Sequence, residues 1–301
     1  MKHNMQILQE MVAKNGPLCV GLDTDPSYIP QSVLAAYPSP AQAVLAYNKE
    51  IISRLKSDGS ASCCKVQIAY YEAMGLEGMK VYAQTLRELK DAGIVCISDI
   101  KRGDIAASAS AYAKAHFTGD FETDIITVNP YMGFDTLKPF TEYCSSSGKG
   151  VFLLLRTSNP GMKDIEQQEL KSGGRVLDAV GNELNRIKDE FSSIYKGQTC
   201  SPVGAVVGCT EESDAKILRE AYPEIFFLIP GYGAQGGDAR IAGTLLKKAG
   251  GTVNSSRGIL CACKKSEDCK KKEESGKITM ADIADAAAEA AHVSKKDLLS
   301  F

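Results

Sequence analysis

The sequence predicts an α/β protein: a (β/α)8 TIM barrel formed as a single domain over residues 1–301. Two observations carry that expectation. Eight short apolar runs alternate with amphipathic stretches from one end of the chain to the other. Most of these runs are too short, and too rich in β-branched residues, to be buried helices, so they read as buried strands. Strands alternating with helices pair in parallel through right-handed crossovers. Eight such units in 301 residues fit a closed barrel. An open, doubly wound sheet is the alternative that the pattern alone leaves.

In chain order the runs cover residues 18–22, 63–68, 94–97, 125–128, 151–155, 203–207 and 225–229, and a weaker eighth surrounds Thr252 and Val253. Between the first two, Val44, Tyr47, Ile51 and Leu55 recur at helical spacing. Residues 280–291 are alanine-rich and favour a helix. Two segments break the rhythm. Residues 157–175 are polar, contain Asn159-Pro160-Gly161 and Gly173-Gly174, and read as a long loop after the fifth strand. Residues 264–277 form a charge run, expected as a solvated or disordered surface insertion.

The formal net charge of -2 lacks the basic excess of a nucleic-acid binder. An anionic substrate would therefore need cations placed locally rather than a global field. No apolar run approaches a membrane span, and the polar residues 1–15, with Glu10 and Lys14, lack the core of a secretory signal. A cytoplasmic protein is expected, with no membrane or nucleic-acid partner. Cys19, Cys63, Cys64, Cys96 and Cys209 lie in apolar runs and read as small, reduced, buried hydrophobes. Cys261, Cys263 and Cys269 cluster, but no histidine lies near them and their spacing fits no common zinc pattern, so no metal is expected there.

Functional groups in such barrels collect at the C-terminal ends of strands. Asp23 ends the first run, and Lys65 lies in the second. After the third come Asp99 and Lys101, two apart and so on one face of a strand, with Ile97 deeper on that face. Asp104 follows, where the next helix should begin. Taken singly these have plain structural readings: a helix cap for Asp104, a rim ion pair for Asp99 and Lys101. With Lys65 on the neighbouring strand they form a row of opposite charges, and such groups perturb one another and mark a site. Arg156-Thr157-Ser158-Asn159 follows the fifth run. Pro230, then Gly231, Gly233, Gly236 and Gly237, follows the seventh, and Arg257 follows the eighth. Glycines that admit close backbone approach, beside a fixed guanidinium, read as a phosphate cup.

These residues resemble the orotidine 5'-phosphate decarboxylase family over nearly the whole chain, from about Leu18 to the final helix. Asp99-x-Lys101-x-x-Asp104-Ile105 is similar to that family's catalytic motif. Gly21-Leu22-Asp23, Lys65, Ser158 with Pro160-Gly161, Pro230-Gly231, residues 233–238 and Arg257-Gly258 follow in the family's order. The stretch from Lys65-Val66-Gln67 to Tyr70-Tyr71-Glu72 resembles its longer-chain branch, whereas residues 264–277 fit no family motif. The resemblance implies cofactor-independent decarboxylation of orotidine 5'-monophosphate to uridine 5'-monophosphate, with Lys101 stabilising and protonating a ring carbanion. Asp99 would lie near the departing carboxylate, and Lys65 and Asp104 would complete a Lys-Asp-Lys-Asp array. Asp23 and Lys65 would contact ribose hydroxyls, Ser158 the pyrimidine edge, and Gln235 and Arg257 the phosphate, with Pro230 lining the site. Asp104 and Ser108 would reach into the site of a homodimer partner. One alternative is a metal-dependent sugar-phosphate decarboxylase or synthase of the same superfamily, for which Glu50 and Glu72 are the candidate extra ligands. The other is an inactive nucleotide-binding barrel, against which the presence of both Lys101 and Asp99 weighs.

Overall fold

The computed structural model describes residues 1–233 and 237–301. Eight parallel strands close into a barrel in sequence order: β1 (Leu18–Gly21), β2 (Cys63–Gln67), β3 (Val95–Arg102), β4 (Ile125–Val128), β5 (Gly150–Arg156), β6 (Val203–Val207), β7 (Phe227–Ile229) and β8 (Gly251–Ser255). β8 pairs back onto β1 through Leu18–Val253 and Cys19–Asn254. The open-sheet alternative is thereby replaced by a closed one, in which no strand is left with an unpaired edge.

Side-chain alternation along each strand sorts the core into two regions. Cys19, Cys63, Val95, Ile97, Ile125, Phe152 and Leu228 fill the barrel interior. Cys64, Val66, Cys96, Ile126, Val151 and Val253 pack outward under the helices. The outer layer includes α2 (Pro40–Asp58), α3 (Gly75–Ala92), α4 (Ala106–Phe117), α5 (Lys138–Ser147), α6 (Val176–Ile194), α7 (Glu212–Ala221) and α8 (Ala239–Leu245). The five cysteines expected inside the apolar runs are all buried.

Below the barrel, α1 (Asn4–Asn15) seals the N-terminal ends of the strands with Met5 and Leu8, both fully buried in the interior cluster. His3 starts this helix. Its Nδ1 accepts the Gln6 N–H at 3.1 Å and its Nε2 donates to the Cys200 carbonyl at 3.0 Å, which requires the neutral ring with its proton on Nε2.

Two segments differ from the sequence expectation. Residues 157–175 run as a long connection, but a 3-10 turn at Pro160–Asp164 and a bridge between Glu169 and Arg175 order it. The charge run is solvated, one of the two expected readings, but ordered rather than disordered. It forms α9 (Glu267–Glu274), whose charged side chains face water while Cys269 is buried against α10 (Met280–Leu298). Lys272 ties the two helices through Asp282 at 2.9 Å. Cys263 and Cys269 are the apolar anchors here, and two small residues among so many charges produce no visible periodicity.

Burial pushes the His3 pKa down to about 4, partly opposed by its hydrogen bond to Cys200. Because the folded value lies below the unfolded one, the contribution of His3 is complete above pH 6.5 and is lost as pH falls toward 4. The loss is bounded at about 3 kcal/mol by linkage. Thermal unfolding of wild type between pH 7 and 4 is expected to show this decline. His3→Asn, which keeps a capping acceptor without a titrating ring, should flatten it, and an unchanged slope would remove His3 from the account.

Candidate active site

Four charged side chains meet at the C-terminal end of the barrel. Asp23 lies just past β1, Lys65 on β2, and Asp99 and Lys101 on β3. Lys65 Nζ stands 2.8 Å from Asp23 Oδ1 and 3.2 Å from Asp99 Oδ2, and Lys101 Nζ stands 2.7 Å from Asp99 Oδ1. The row therefore reads Asp23–Lys65–Asp99–Lys101, alternating in sign. Lys65 and Asp99 are buried, whereas the Lys101 side chain is 45% exposed at the mouth, so its ammonium is the member of this pair of lysines that a ligand reaches.

Strand register explains the convergence. Gly21 pairs with Lys65, Lys65 with Ile97, and Gln67 with Asp99. The inward positions of three adjacent strands thus rise together toward the mouth. Burial disfavours charge on both Lys65 and Asp99, and each is rescued by its neighbours. Asp23 and Asp99 hold the Lys65 ammonium above its ordinary range. Lys65 and Lys101 hold the Asp99 carboxyl well below the usual carboxylate range. Neither could stay ionised alone in this setting.

The row is reinforced by residues that sequence reasoning missed. Gln67 Nε2 donates to Asp99 Oδ2 at 3.0 Å, and Thr127 Oγ1 donates to Asp99 Oδ1 at 2.8 Å. Ser256 Oγ donates to Asp23 Oδ2 at 2.7 Å. The one available signal was polarity: Thr127 is the polar residue of the run Ile-Ile-Thr-Val, and its β-branched shape reads as an ordinary strand former.

Past Asp99 the chain leaves regular strand geometry. Lys101 and Ala106 both take positive φ, 45° and 46°, uncommon for residues with a Cβ. Between them, a Cβ on Gly103 would sit 2.6 Å from the Asn129 carbonyl oxygen, so only glycine lets the loops after β3 and β4 touch. Strain concentrated in six residues around charged groups is a mark of a functional site. Asp104 does not join the row within its own chain: half-buried in this segment, it accepts the Ile105 N–H at 2.8 Å. Ser108 is exposed on the first turn of α4.

Across the mouth, β5 ends in Arg156, 1% exposed, whose guanidinium reaches Asp214 at 3.3 Å and Thr210 Oγ1 at 2.7 Å. Half-buried Ser158 follows, pressed against Gly208, where a Cβ would lie 2.8 Å from the Ser158 Cα. Thr157 binds Glu166 through both its N–H (2.9 Å) and its hydroxyl (2.6 Å), and Gln167 donates to Asp214 at 3.2 Å, fastening the long loop to the start of α7.

The glycine-rich loop begins at half-buried Pro230, whose carbonyl accepts the Cys209 N–H at 3.2 Å. Gly231 takes φ 99°, and a Cβ on Gly237 would stand 2.5 Å from the Gly231 oxygen. The Tyr232 hydroxyl donates to Asp297 on α10. Gln235 and Gly236 lie outside the described residues. Arg257 is exposed at the start of a short helix, Arg257–Leu260, directly after β8. The two carboxylates considered for a metal are committed elsewhere: Glu50 to Arg54 at 2.5 Å and Glu72 to Arg102 at 2.6 Å.

Comparison with known proteins agrees with this geometry. Residues 16–271 match the model of the orotidine 5'-phosphate decarboxylase / HUMPS family. The orotidine 5'-phosphate decarboxylase of Clostridium novyi (strain NT) is 51% identical over 266 residues, 88% of this chain and 91% of that protein. Its counterpart in Clostridium botulinum (strain Langeland) is 50% identical over 87% of this chain and 90% of that one. Among solved structures, a putative orotidine-monophosphate decarboxylase from Toxoplasma gondii superposes with a TM-score of 0.76 at 26% identity, covering 98% of both chains. Leishmania donovani UMP synthase superposes with a TM-score of 0.70 at 31% identity over 92% of this chain, which spans only 56% of that protein. With the barrel, the charged row and these matches together, the chain belongs to the orotidine 5'-phosphate decarboxylase / HUMPS family.

Proposed function

We propose that the chain decarboxylates orotidine 5'-monophosphate to uridine 5'-monophosphate, the last step of de novo pyrimidine nucleotide synthesis, without metal or organic cofactor. The observation that carries this reading is the alternation Asp23–Lys65–Asp99–Lys101, ending on an accessible ammonium. The relatives named for this activity support it at 50–51% identity.

Breaking the bond between ring carbon C6 and its carboxylate releases CO2 and leaves an electron pair on C6. Lys101 is the cation that stabilises this pair as it develops. Its ammonium then gives C6 a proton, and the amine left behind recovers one from water. Asp99, held ionised by two lysines, faces the departing carboxylate and favours its leaving as neutral CO2. Lys65 and Asp23 meet the ribose hydroxyls, and Ser158 the pyrimidine edge. Gln235 and Arg257 form the phosphate end, with Pro230 lining the site. Binding of that remote phosphate draws the loops after β5 and β7 over the ring, which directs binding energy to turnover.

The working unit in this reading is a cytosolic homodimer. Free thiols, nine of the ten buried, suit a reducing compartment. Ile105, Tyr112, Tyr131 and Met132 are exposed beside Asp104 and Ser108 on the touching loops after β3 and β4 and on α4. An apolar patch of this kind fits a second copy of the chain, whose Asp104 and Ser108 then complete the neighbouring site.

The long-wavelength absorbance that the C6 carboxylate gives orotidine 5'-monophosphate should fall on adding the protein, equally with and without a chelator. Loss of the rate with chelator would favour the metal-dependent alternative. Lys101→Ala should lower turnover by at least about 10⁴-fold while the fold survives, and near-normal turnover in that folded variant would remove Lys101 from the chemistry.

Arg257→Ala should weaken kcat/KM for the phosphorylated substrate by about 2–4 kcal/mol, the scale of a charge-assisted contact. It should barely alter reaction of the nucleoside without phosphate. Equal damage to both would mean that Arg257 acts on the fold instead.

Lys101→Ala and Asp104→Ala homodimers should each be nearly inactive. In a mixed dimer one site carries both lesions and the other carries neither. Random exchange makes about half the dimers mixed, so unfolding and refolding the two together should restore roughly a quarter of wild-type activity. Absence of recovery, with mixed dimers demonstrated by mass spectrometry, would show that Asp104 serves its own chain.

A further inference from the structure

The pairing of β3 with β4 is irregular where the chemistry lies. Ser98 pairs with Ile126 and Arg102 with Val128, so four steps along β3 face two along β4. Thr127 sits opposite the excess residues, 1% exposed. A bulge leaves ladder groups unpaired, and here the unpaired N–H groups belong to Ile100 and Lys101. Thr127 Oγ1 accepts both, at 3.0 Å and 2.9 Å. A hydroxyl has two acceptor sites and one proton. With both lone pairs engaged, its single proton is directed to Asp99 Oδ1, at 2.8 Å.

One side-chain oxygen thus joins three things: the bulged backbone, the left-handed φ of 45° at Lys101, and the carboxylate on which the Lys101 ammonium rests. A non-glycine residue in that conformation persists only where its surroundings hold it there. Loss of the hydroxyl would orphan two N–H groups and take one donor from Asp99 at the same time.

We propose that Thr127 is a positioning residue for the reaction: its hydroxyl holds the β3 bulge in the conformation that aims Lys101 at the reacting carbon, and it orients Asp99. The proposal rests on the role assigned above to Lys101. Thr127 itself need touch no substrate. Its hydroxyl matters, and its methyl group does not.

Two variants separate these contributions. Thr127→Val keeps the shape and removes the hydroxyl. Thr127→Ser keeps the hydroxyl and removes the methyl. Thr127→Val is expected to lower kcat about 10²-fold, the scale on which a displacement of about 1 Å acts, with KM for orotidine 5'-monophosphate changed less than about threefold because the phosphate and ribose contacts remain. Thr127→Ser should stay within about threefold of wild type. A wild-type kcat in folded Thr127→Val overturns the proposal, as does Thr127→Ser being the more damaged of the two. If Thr127→Val does not fold, Thr127→Cys, which drops the methyl and replaces the hydroxyl with a thiol, a poor acceptor, is judged by the same criterion. A crystal structure of whichever hydroxyl-free variant folds, Thr127→Val or Thr127→Cys, supplies a readout independent of turnover: residue 101 should leave its positive φ, and retention of that φ with the ammonium still on Asp99 overturns the clamp whatever the rate. In the same series, a wild-type protein inactive on orotidine 5'-monophosphate would strike the proposed function, whereas an active wild type matched by Thr127→Val would strike the clamp alone.

Discussion

The carboxylate of Asp99 is the point on which this structure turns. It is 6% exposed, yet burial does not neutralise it, because two ammonium groups, an amide and a hydroxyl surround it. The four partners come from three strands: Lys65 and Gln67 from β2, Lys101 from its own strand, Thr127 from β4. Three consecutive strands must hold their mutual register for that set to exist. Lys65 and Asp99 are the buried pair, and removing either charge would leave the other in the interior without its buried counter-ion, the expensive outcome for ions there. The barrel closure and the row are therefore linked through this group. The strands place the charges, and the charges tolerate only one placement.

Rigidity below and irregularity above divide the barrel by height. The lower interior is packed with Cys63, Val95, Ile97, Ile125 and Phe152 and closed by the first helix. At the rim, two ladders slip register, β3 on β4 beyond Ser98 and β5 on β6 beyond Leu154. The first slip contains Asp99 and Lys101, and the second lies just before Ser158. A bulge re-aims the side chains that follow it without unpairing the strand beneath. Buried Arg156 performs a similar service on the β5 side, binding the strand end to Asp214 while the chain turns toward Ser158.

Much of this was legible in the amino-acid order. Short, β-branched apolar runs separated by helical stretches pointed to parallel strands, and each of the eight runs became a strand. The Asp99–Lys101 spacing put both residues at one face, and the structure joins them, although through a bulge rather than an ideal pleat. Asp104 was legible as important, but its separation from its own chain's row was legible only through the family resemblance, because its position depends on the left-handed φ at Lys101, which no spacing rule conveys. Thr127, Gln67 and Ser256 were illegible for another reason. Their value lies in where a single polar atom points, which depends on register between strands distant in sequence. The helix of residues 267–274 was hidden by its own composition, since one buried thiol, Cys269, anchors it beneath a charged surface.

The arithmetic of the row has a consequence at longer range. Asp23, Lys65, Asp99 and Lys101 alternate and sum to zero. Such an array behaves as a multipole: its potential is steep within a few ångströms and fades quickly beyond, where screening in physiological salt already limits charges to about 8 Å. The whole chain, at formal charge -2, offers an approaching anion no compensating attraction. An anion is therefore not drawn into this barrel from afar by the groups that act on it. In the proposed reading capture is assigned to the exposed Arg257 at the rim, so encounter and chemistry would be governed by separate charges, the first sensitive to ionic strength and the second shielded from it.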